Sequence, residues 1–112
     1  MIKLPAVAGV FYPLNPAHLT QMLNQFLQDA ATGEKPPKAM IAPHAGYRYS
    51  GPVAASIYAR LKNAEQPITR VVLIGPAHRL VFDGLAVSRA DAFNTPLGSI
   101  EVDKKAIEKL TQ

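Results

Sequence analysis

Two histidines stand at matching places in the sequence, each shortly after an apolar run that ends in a proline. His44 directly follows Pro43, and His78 follows Pro76 after a single alanine. Neutral imidazole nitrogens are common metal ligands, and they suit iron, copper and zinc. Two imidazoles brought to one place would form part of a transition-metal site, and that is the chemistry this pair indicates.

Each histidine also has an ordinary interpretation. A single histidine beside a turn is more often a surface or hydrogen-bonding residue than a ligand, and His18, the third histidine, is interpreted in that way. The matched placement of the other two favours a site. Their neighbours favour it as well, because glycine allows a backbone to approach a ligand and proline fixes a turn. These neighbours are Pro43, Gly46, Gly75 and Pro76.

The elements that would position the histidines are two strands and a helix. Residues 39–42 and 71–74 are continuous apolar runs, typical of strands buried on both faces, and residues 52–61 predict a helix with Pro52 in its first turn. Such a unit has parallel strands and a right-handed crossover, and ligands bind beyond the carboxyl ends of its strands. Both histidines would then lie at one edge of one sheet.

Aromatic and basic side chains near the histidines are candidates for lining the same cleft. They are Tyr47 and Arg48, which follow the first histidine, Arg79, which is next to the second, and Tyr12. Tyr12 belongs to the apolar segment 4–13, which contains too much proline for a central strand. Packing alone would also explain Tyr12, and an ordinary exposed loop would explain Arg48.

The remaining sequence predicts two further helices, each with a capping residue. Asn15 caps the first, Pro16 takes its first position, and its apolar side chains form one stripe at Leu19, Met22, Leu23, Phe26 and Leu27. Asp103 caps the last, in which a Lys104–Glu108 pair is expected and Ala106, Ile107 and Leu110 are expected to face inward.

Short strands are expected over 84–88 and 99–102, with a turn over 93–98. Together these elements predict an α/β fold with a mainly parallel sheet and flanking helices, in an incomplete three-layer α/β/α arrangement.

Composition narrows the class of protein. The chain has 112 residues, of which 48% are hydrophobic and 18% charged, as expected for one globular domain. The net charge of +4 comes from scattered basic residues, so nucleic-acid binding is not expected. No apolar run approaches the ~20 residues of a membrane span, and no signal peptide is visible. Without cysteine there is no disulfide framework, and a cytoplasmic protein is expected.

Four passages resemble the Memo family, also called AmmeMemoRadiSam system protein B, and they occur in the family's order. They are Pro5-Ala6-Val7-Ala8-Gly9 with Phe11-Tyr12-Pro13, Ile41-Ala42-Pro43-His44-Ala45-Gly46-Tyr47 with Ser50-Gly51, Gly75-Pro76-Ala77-His78, and Thr95-Pro96-Leu97-Gly98 with Asp103. The family's fold is similar to that of class III extradiol dioxygenases, which hold non-haem iron. The resemblance therefore implies that His44 and His78 are metal ligands, for iron first and copper as the alternative.

The resemblance covers only the N-terminal portion of the family, whose members are much longer. Residues 1–112 are therefore expected to form a single, truncated Memo-like domain that lacks the family's further ligand. Non-haem iron commonly takes two histidines and a carboxylate. Asp91 or Glu101 could supply that carboxylate, but no spacing requires it, and Asp83 and Asp91 fit loop positions better.

Three functions remain open. The first is a metal-dependent, dioxygenase-like oxidoreductase that takes a small molecule, with this length of chain expected to be inactive alone. The second is a non-catalytic module that recognises a peptide or an anionic ligand in the same cleft, as the phosphotyrosine-peptide binding linked to animal relatives suggests. The third is a structural remnant. The resemblance also implies a radical SAM protein and an AMMECR1-type protein as partners.

Overall fold

The computed structural model describes residues 1–31 and 33–111. Its first helix, α1 (Pro16–Asp29), begins where the sequence predicts it. The backbone N–H of His18 donates to Asn15 Oδ1 at 3.1 Å, which satisfies one of the free amides at the helix start. Pro16 stands at the start of the helix, where its missing N–H would have no helical partner. The predicted cap and helix are confirmed.

The second helix, α2 (Tyr47–Tyr58), begins earlier than the predicted range of 52–61. Gly46 is its N-cap residue, so Tyr47 and Arg48 belong to the first turn of the helix and not to a loop. Pro52 lies inside α2, where its fixed φ suits the helix although it donates no hydrogen bond. The predicted start was wrong because Pro52, which was assigned to the first turn, lies in the interior of α2. A 3₁₀ helix, Ala59–Asn63, follows directly.

The two long helices pack on each other at a point of close approach. Gly51 of α2 faces the ring of Phe26 on α1, and a Cβ built on Gly51 would lie 2.3 Å from Phe26 Cε2. Leu19 of α1 is buried, with 4% of its surface exposed, and Ala55 of α2 is buried as well. A side chain at position 51 would require the Phe26 ring to move, so glycine allows the helices to approach this closely.

The sheet has three short strands in the order β1 (Ile2–Lys3), β2 (Ala92–Thr95) and β3 (Gly98–Glu101). β1 pairs with β2 in parallel, and β2 pairs with β3 in an antiparallel hairpin. The α/β class is therefore confirmed, but the sheet is mixed and not mainly parallel. The layering is also less developed than predicted, since α1 and α2 pack chiefly on each other.

The hairpin corrects the prediction of a turn over 93–98. Thr95 pairs with Gly98, so the turn is confined to the two residues between them. Gly98 has a φ of +129°, which a side chain would disfavour. The Thr95 hydroxyl donates to the Gly98 carbonyl at 2.9 Å and accepts from the Leu97 N–H at 3.1 Å. The predicted strand over 99–102 is found, shifted by one residue.

Three other predicted strands are not formed in the described part of the chain. Residues 39–42, 71–74 and 84–88 carry no regular secondary structure. Ile41 is 95% exposed, and each side chain from Val71 to Ile74 is between 74% and 85% exposed. A strand needs a neighbour for its backbone and cover for its apolar faces, and these segments have neither here. The strand–helix–strand unit predicted around the histidines is therefore absent from the described residues.

The last helix, α3 (Lys104–Leu110), has the predicted cap: the Ala106 N–H donates to Asp103 Oδ1 at 3.0 Å. The inward face is only partly confirmed. Ala106 and Ile107 are half-buried, but Leu110 is 72% exposed. Lys104 reaches Asp91 and not the expected Glu108. No helix among the described residues combines the length and apolar character needed to cross a membrane.

Candidate metal site

The structure brings His44 and His78 together. Their ring centroids are 5.2 Å apart, and the ring planes are inclined at 47°. Both residues are exposed, so the space around the rings is open to a solute. The strands expected over 39–42 and 71–74 are not formed. Two irregular segments therefore bring the histidine rings close together. Their role as metal ligands stays a prediction.

The loop that carries His44 is held by the side chain of Ser50. The Ser50 hydroxyl donates to the Ala45 carbonyl oxygen at 2.8 Å and lies 3.3 Å from that of Gly46. Ser50 itself is buried, with 7% of its surface exposed. Because Ser50 sits on α2, the helix fixes the residue next to His44. Gly46 is the N-cap of α2, so Ser50 lies within the helix, and its hydrogen bond to Ala45 was not predicted from the sequence.

The spacing of the two rings fits a shared metal ion. A metal about 2.1 Å from one nitrogen of each ring lies roughly 3.2 Å from each ring centre, and bond angles between ~90° and ~120° then separate the centres by roughly 4.5–5.5 Å. The observed 5.2 Å falls within that span. Two neutral imidazoles also form a donor set that suits iron, copper and zinc.

The structure does not supply a third ligand from the residues it describes. No group of three or more His, Cys, Asp or Glu side chains among them is arranged to hold a metal. Asp91, one of the two carboxylates considered for this role, bonds instead to the Lys104 ammonium and to the Met1 amino group. The hydrogen bond from Lys104, followed by that from the Met1 amino group, lowers the pKa of Asp91 to about 2. Glu101, the other, is an exposed residue of β3.

Two of the predicted cleft residues, Tyr12 and Tyr47, contact each other. Their ring centroids are 5.2 Å apart at an inclination of 39°, and the Tyr47 N–H donates to the Phe11 carbonyl at 2.8 Å. Burial, with smaller contributions from Tyr12 and Tyr58, raises the pKa of Tyr47 above its ordinary value. The pair ties the N-terminal segment to the start of α2, close in sequence to His44.

The two arginines predicted to border the cleft are on the surface. Arg48 and Arg79 are both exposed, and neither forms an ion pair with any residue that the structure describes. Arg48 lies in the first turn of α2, and Arg79 follows His78 in the irregular segment. Both guanidinium groups are therefore available to an anion, although the structure gives neither a fixed position against the histidines.

Two surface concavities lie on the helices, and no histidine lines either of them. One, of about 590 Å³, runs along the polar face of α1 beside Thr20, Gln21 and Asn24. The other, of about 350 Å³, lies between α1 and α2 beside Phe26 and Pro52. The first has no ionisable side chain in its lining and the second has only Asp29, so the histidine pair remains the better candidate for chemistry.

Comparison with known proteins places most of the chain in one family. A family model described as Memo-like protein matches residues 3–112. A MEMO1 family protein of Methanosarcina barkeri is 44% identical over 110 residues, which is 98% of this chain and 40% of the relative. A MEMO1 family protein of Aquifex aeolicus is 37% identical over 109 residues, covering 97% of this chain and 39% of the relative.

A vertebrate relative shows the same pattern of coverage. Protein MEMO1 of Xenopus laevis is 38% identical over 104 residues, covering 92% of this chain and 34% of the relative. The chain thus spans about two fifths of the length of the curated relatives it matches.

Proposed function

Because the chain belongs to the family of Memo-like proteins, we propose that His44 and His78 bind one transition-metal ion, iron first and copper as the alternative. The observation that carries this proposal is the 5.2 Å separation of two rings that are far apart in the sequence. The activity proposed is that of a dioxygenase-like oxidoreductase in the cytoplasm, acting on a small molecule.

The roles of the chain's own residues follow from the geometry. The two imidazoles would hold the ion through unprotonated ring nitrogens, so binding weakens as the pH falls and protons compete for those nitrogens. Ser50 keeps the residue next to His44 in place. When bound, such an ion supplies Lewis acidity and a redox centre, with positions left open for a substrate. Two protein ligands hold it weakly, so the site as described is one part of a coordination sphere.

Metal titration tests the proposal. The parent protein should bind Fe(II), Cu(II) or Zn(II) with one ion per chain, and His44→Ala or His78→Ala should weaken binding by roughly tenfold or more. The double variant should bind none. His18→Ala is the matched control, because His18 is an exposed histidine on α1. Equal metal content in the double variant and the parent, by elemental analysis, would reject the site.

A second function, recognition of a peptide or an anionic ligand without chemistry, is favoured by the tyrosine pair and the free arginines. Tyr12 and Tyr47 present neighbouring rings, and Arg48 and Arg79 have no partner among the described residues. Titrating metal-free protein with a phosphotyrosine peptide tests this function. Saturable binding that Arg48→Ala and Tyr47→Ala both weaken would support it, and no binding would leave only the metal site or a structural remnant.

Partners are proposed from the family resemblance alone. A radical SAM protein and an AMMECR1-type protein are the two expected, and neither nucleic acid nor a membrane is expected. Mixing the purified chain with each protein and measuring co-elution by size-exclusion chromatography tests this. Separate elution at micromolar concentrations would reject the direct partnership.

A further inference from the structure

The most unusual surface of the molecule is a pair of apolar segments that flank His78. We call residues 71–74 and 80–87 the open segments. They carry a high proportion of β-branched and large apolar side chains, and most of these are exposed. Folded proteins seldom expose so many apolar side chains close together in the sequence, and such surfaces often mark a site where another polypeptide binds.

The backbone around the open segments also lacks backbone hydrogen bonds. In the part of the chain that the structure describes, residues 65–90 take part in no backbone–backbone hydrogen bond. At the end of this range the Ala90 N–H donates to Ser88 Oγ and the Arg89 carbonyl accepts from Lys104 Nζ. Within 71–74 and 80–87, however, the backbone donors and acceptors pair with no described backbone group, and they lie beside side chains that favour strands. A backbone with unpaired donors and acceptors beside apolar side chains is what a strand from another segment can pair with.

Residues 65–90 are anchored at both ends by hydrogen bonds, so they form a loop with fixed ends and not a free tail. On one side, the Ala64 N–H donates to the Leu61 carbonyl at 3.2 Å. On the other, Ala90 is buried and the Asp91 N–H donates to the Met1 carbonyl at 2.8 Å. Such anchoring lowers the entropy lost when a strand docks between the fixed ends.

We propose that the open segments are the docking surface for strands supplied by a polypeptide that corresponds to the unaligned part of the Memo-like relatives. The match to the Methanosarcina barkeri protein covers 98% of this chain but only 40% of the relative. The relative therefore contains the counterparts of these segments together with about three fifths of its length that this chain does not match. We take this unmatched part of the relative as the polypeptide that binds the open segments. The proposal does not depend on metal binding.

Hydrogen–deuterium exchange on metal-free protein tests the proposal. The full chain is measured alone and mixed with the remaining three fifths of the Methanosarcina barkeri relative, either as purified protein or after co-expression if that piece does not fold by itself. We expect a 1:1 complex in sedimentation velocity and at least tenfold slower exchange within 71–74 and 80–87.

Paired variants make the result specific. Val72→Asp combined with Val81→Asp should abolish the complex, whereas Leu97→Asp, at the exposed tip of the hairpin, should leave it intact. The proposal is overturned if neither mixing nor co-expression gives a complex, if the doubly substituted chain still forms it, or if protection falls outside the open segments. A discrete dimer of the chain alone that protects the same amides would also overturn it, since a second copy would then be the occupant.

Discussion

At the scale of single residues, local hydrogen bonds account for the way the chain presents its histidines. Ser50 is buried and bonds back to Ala45, which is the neighbour of His44. His78 has no comparable brace among the described residues and lies in an irregular segment. A hydrogen bond from helix α2 therefore helps to position His44, whereas His78 lies in a segment without regular secondary structure.

Removing the Ser50 hydroxyl should loosen the first half of the site. Ser50→Ala leaves the Ala45 carbonyl without its donor, and we expect a loss of about 1 kcal/mol in the free energy of unfolding together with weaker metal binding. Denaturant unfolding and metal titration measure the two effects. Ser56→Ala is the control, since Ser56 makes a comparable bond within α2 but is exposed and away from the loop. Equal effects of the two substitutions on metal affinity would argue against the brace.

Asp91 should make the fold sensitive to acid. Its pKa falls from 3.8 to about 2 in the folded chain, through hydrogen bonds from Lys104 and then from the Met1 amino group. A lowered pKa means that the stabilisation is present above pH 3.8 and is lost as the pH falls toward 2. Because the carboxylate is exposed, the effect should be small.

Thermal unfolding followed between pH 5 and 2 measures this acid dependence. Asp91→Asn should flatten the loss of stability over that interval, whereas Asp83→Asn, in an exposed irregular segment, should not. An unchanged pH profile in Asp91→Asn would show that these contacts do not contribute.

At the scale of elements, signals that act within a few residues predicted the structure best. Asn15 and Asp103 cap the helices that the sequence assigned to them, because a capping bond joins residues three apart and needs no other part of the chain. The strands over 39–42 and 71–74 failed for the opposite reason. A strand must pair with a segment that is distant in the sequence, and the apolar composition of the strand does not reveal whether such a segment is present.

The contact between Gly51 and Phe26 provides a test of the helix pair. Gly51→Ala would place a Cβ 2.3 Å from the ring, and we expect the overpacking to exceed the helical preference of alanine by about 1 kcal/mol. Thermal unfolding should show a lower Tm, and adding Phe26→Leu should restore part of it. Gly33→Ala is the control because nothing lies within 4 Å of its Cβ position. A rise in Tm for Gly51→Ala would mean that the helices can separate at little cost.

At the scale of the whole molecule, the family and the proximity of the two histidine rings were predicted more successfully than the sheet. Four passages, two of which contain His44 and His78, pointed to the family that the comparison shows, and the structure places the two rings side by side. The sheet, however, forms from the two ends of the chain, where Ile2 pairs with Ala92. That pairing could not be read from the sequence because neither short segment has a strong strand pattern.

The exposed apolar segments should govern the behaviour of the chain in solution. Alone, it should associate without a defined stoichiometry, because large apolar side chains from Val71 to Phe82 lie open to water. Sedimentation velocity over a range of concentrations measures this. Val72→Asp with Val81→Asp should reduce association, whereas Leu97→Asp should change it little. A compact monomer that melts cooperatively at every concentration would contradict this account of the surface.

The central claim, that His44 and His78 share one metal ion, is tested most directly by electron paramagnetic resonance of the protein loaded with Cu(II). The account predicts couplings from two imidazole nitrogens at one copper per chain in the parent and in His18→Ala. It predicts a single imidazole coupling in His44→Ala or His78→Ala, and none in the double variant. Two imidazole couplings that persist in the double variant, or a parent spectrum without any, would contradict it.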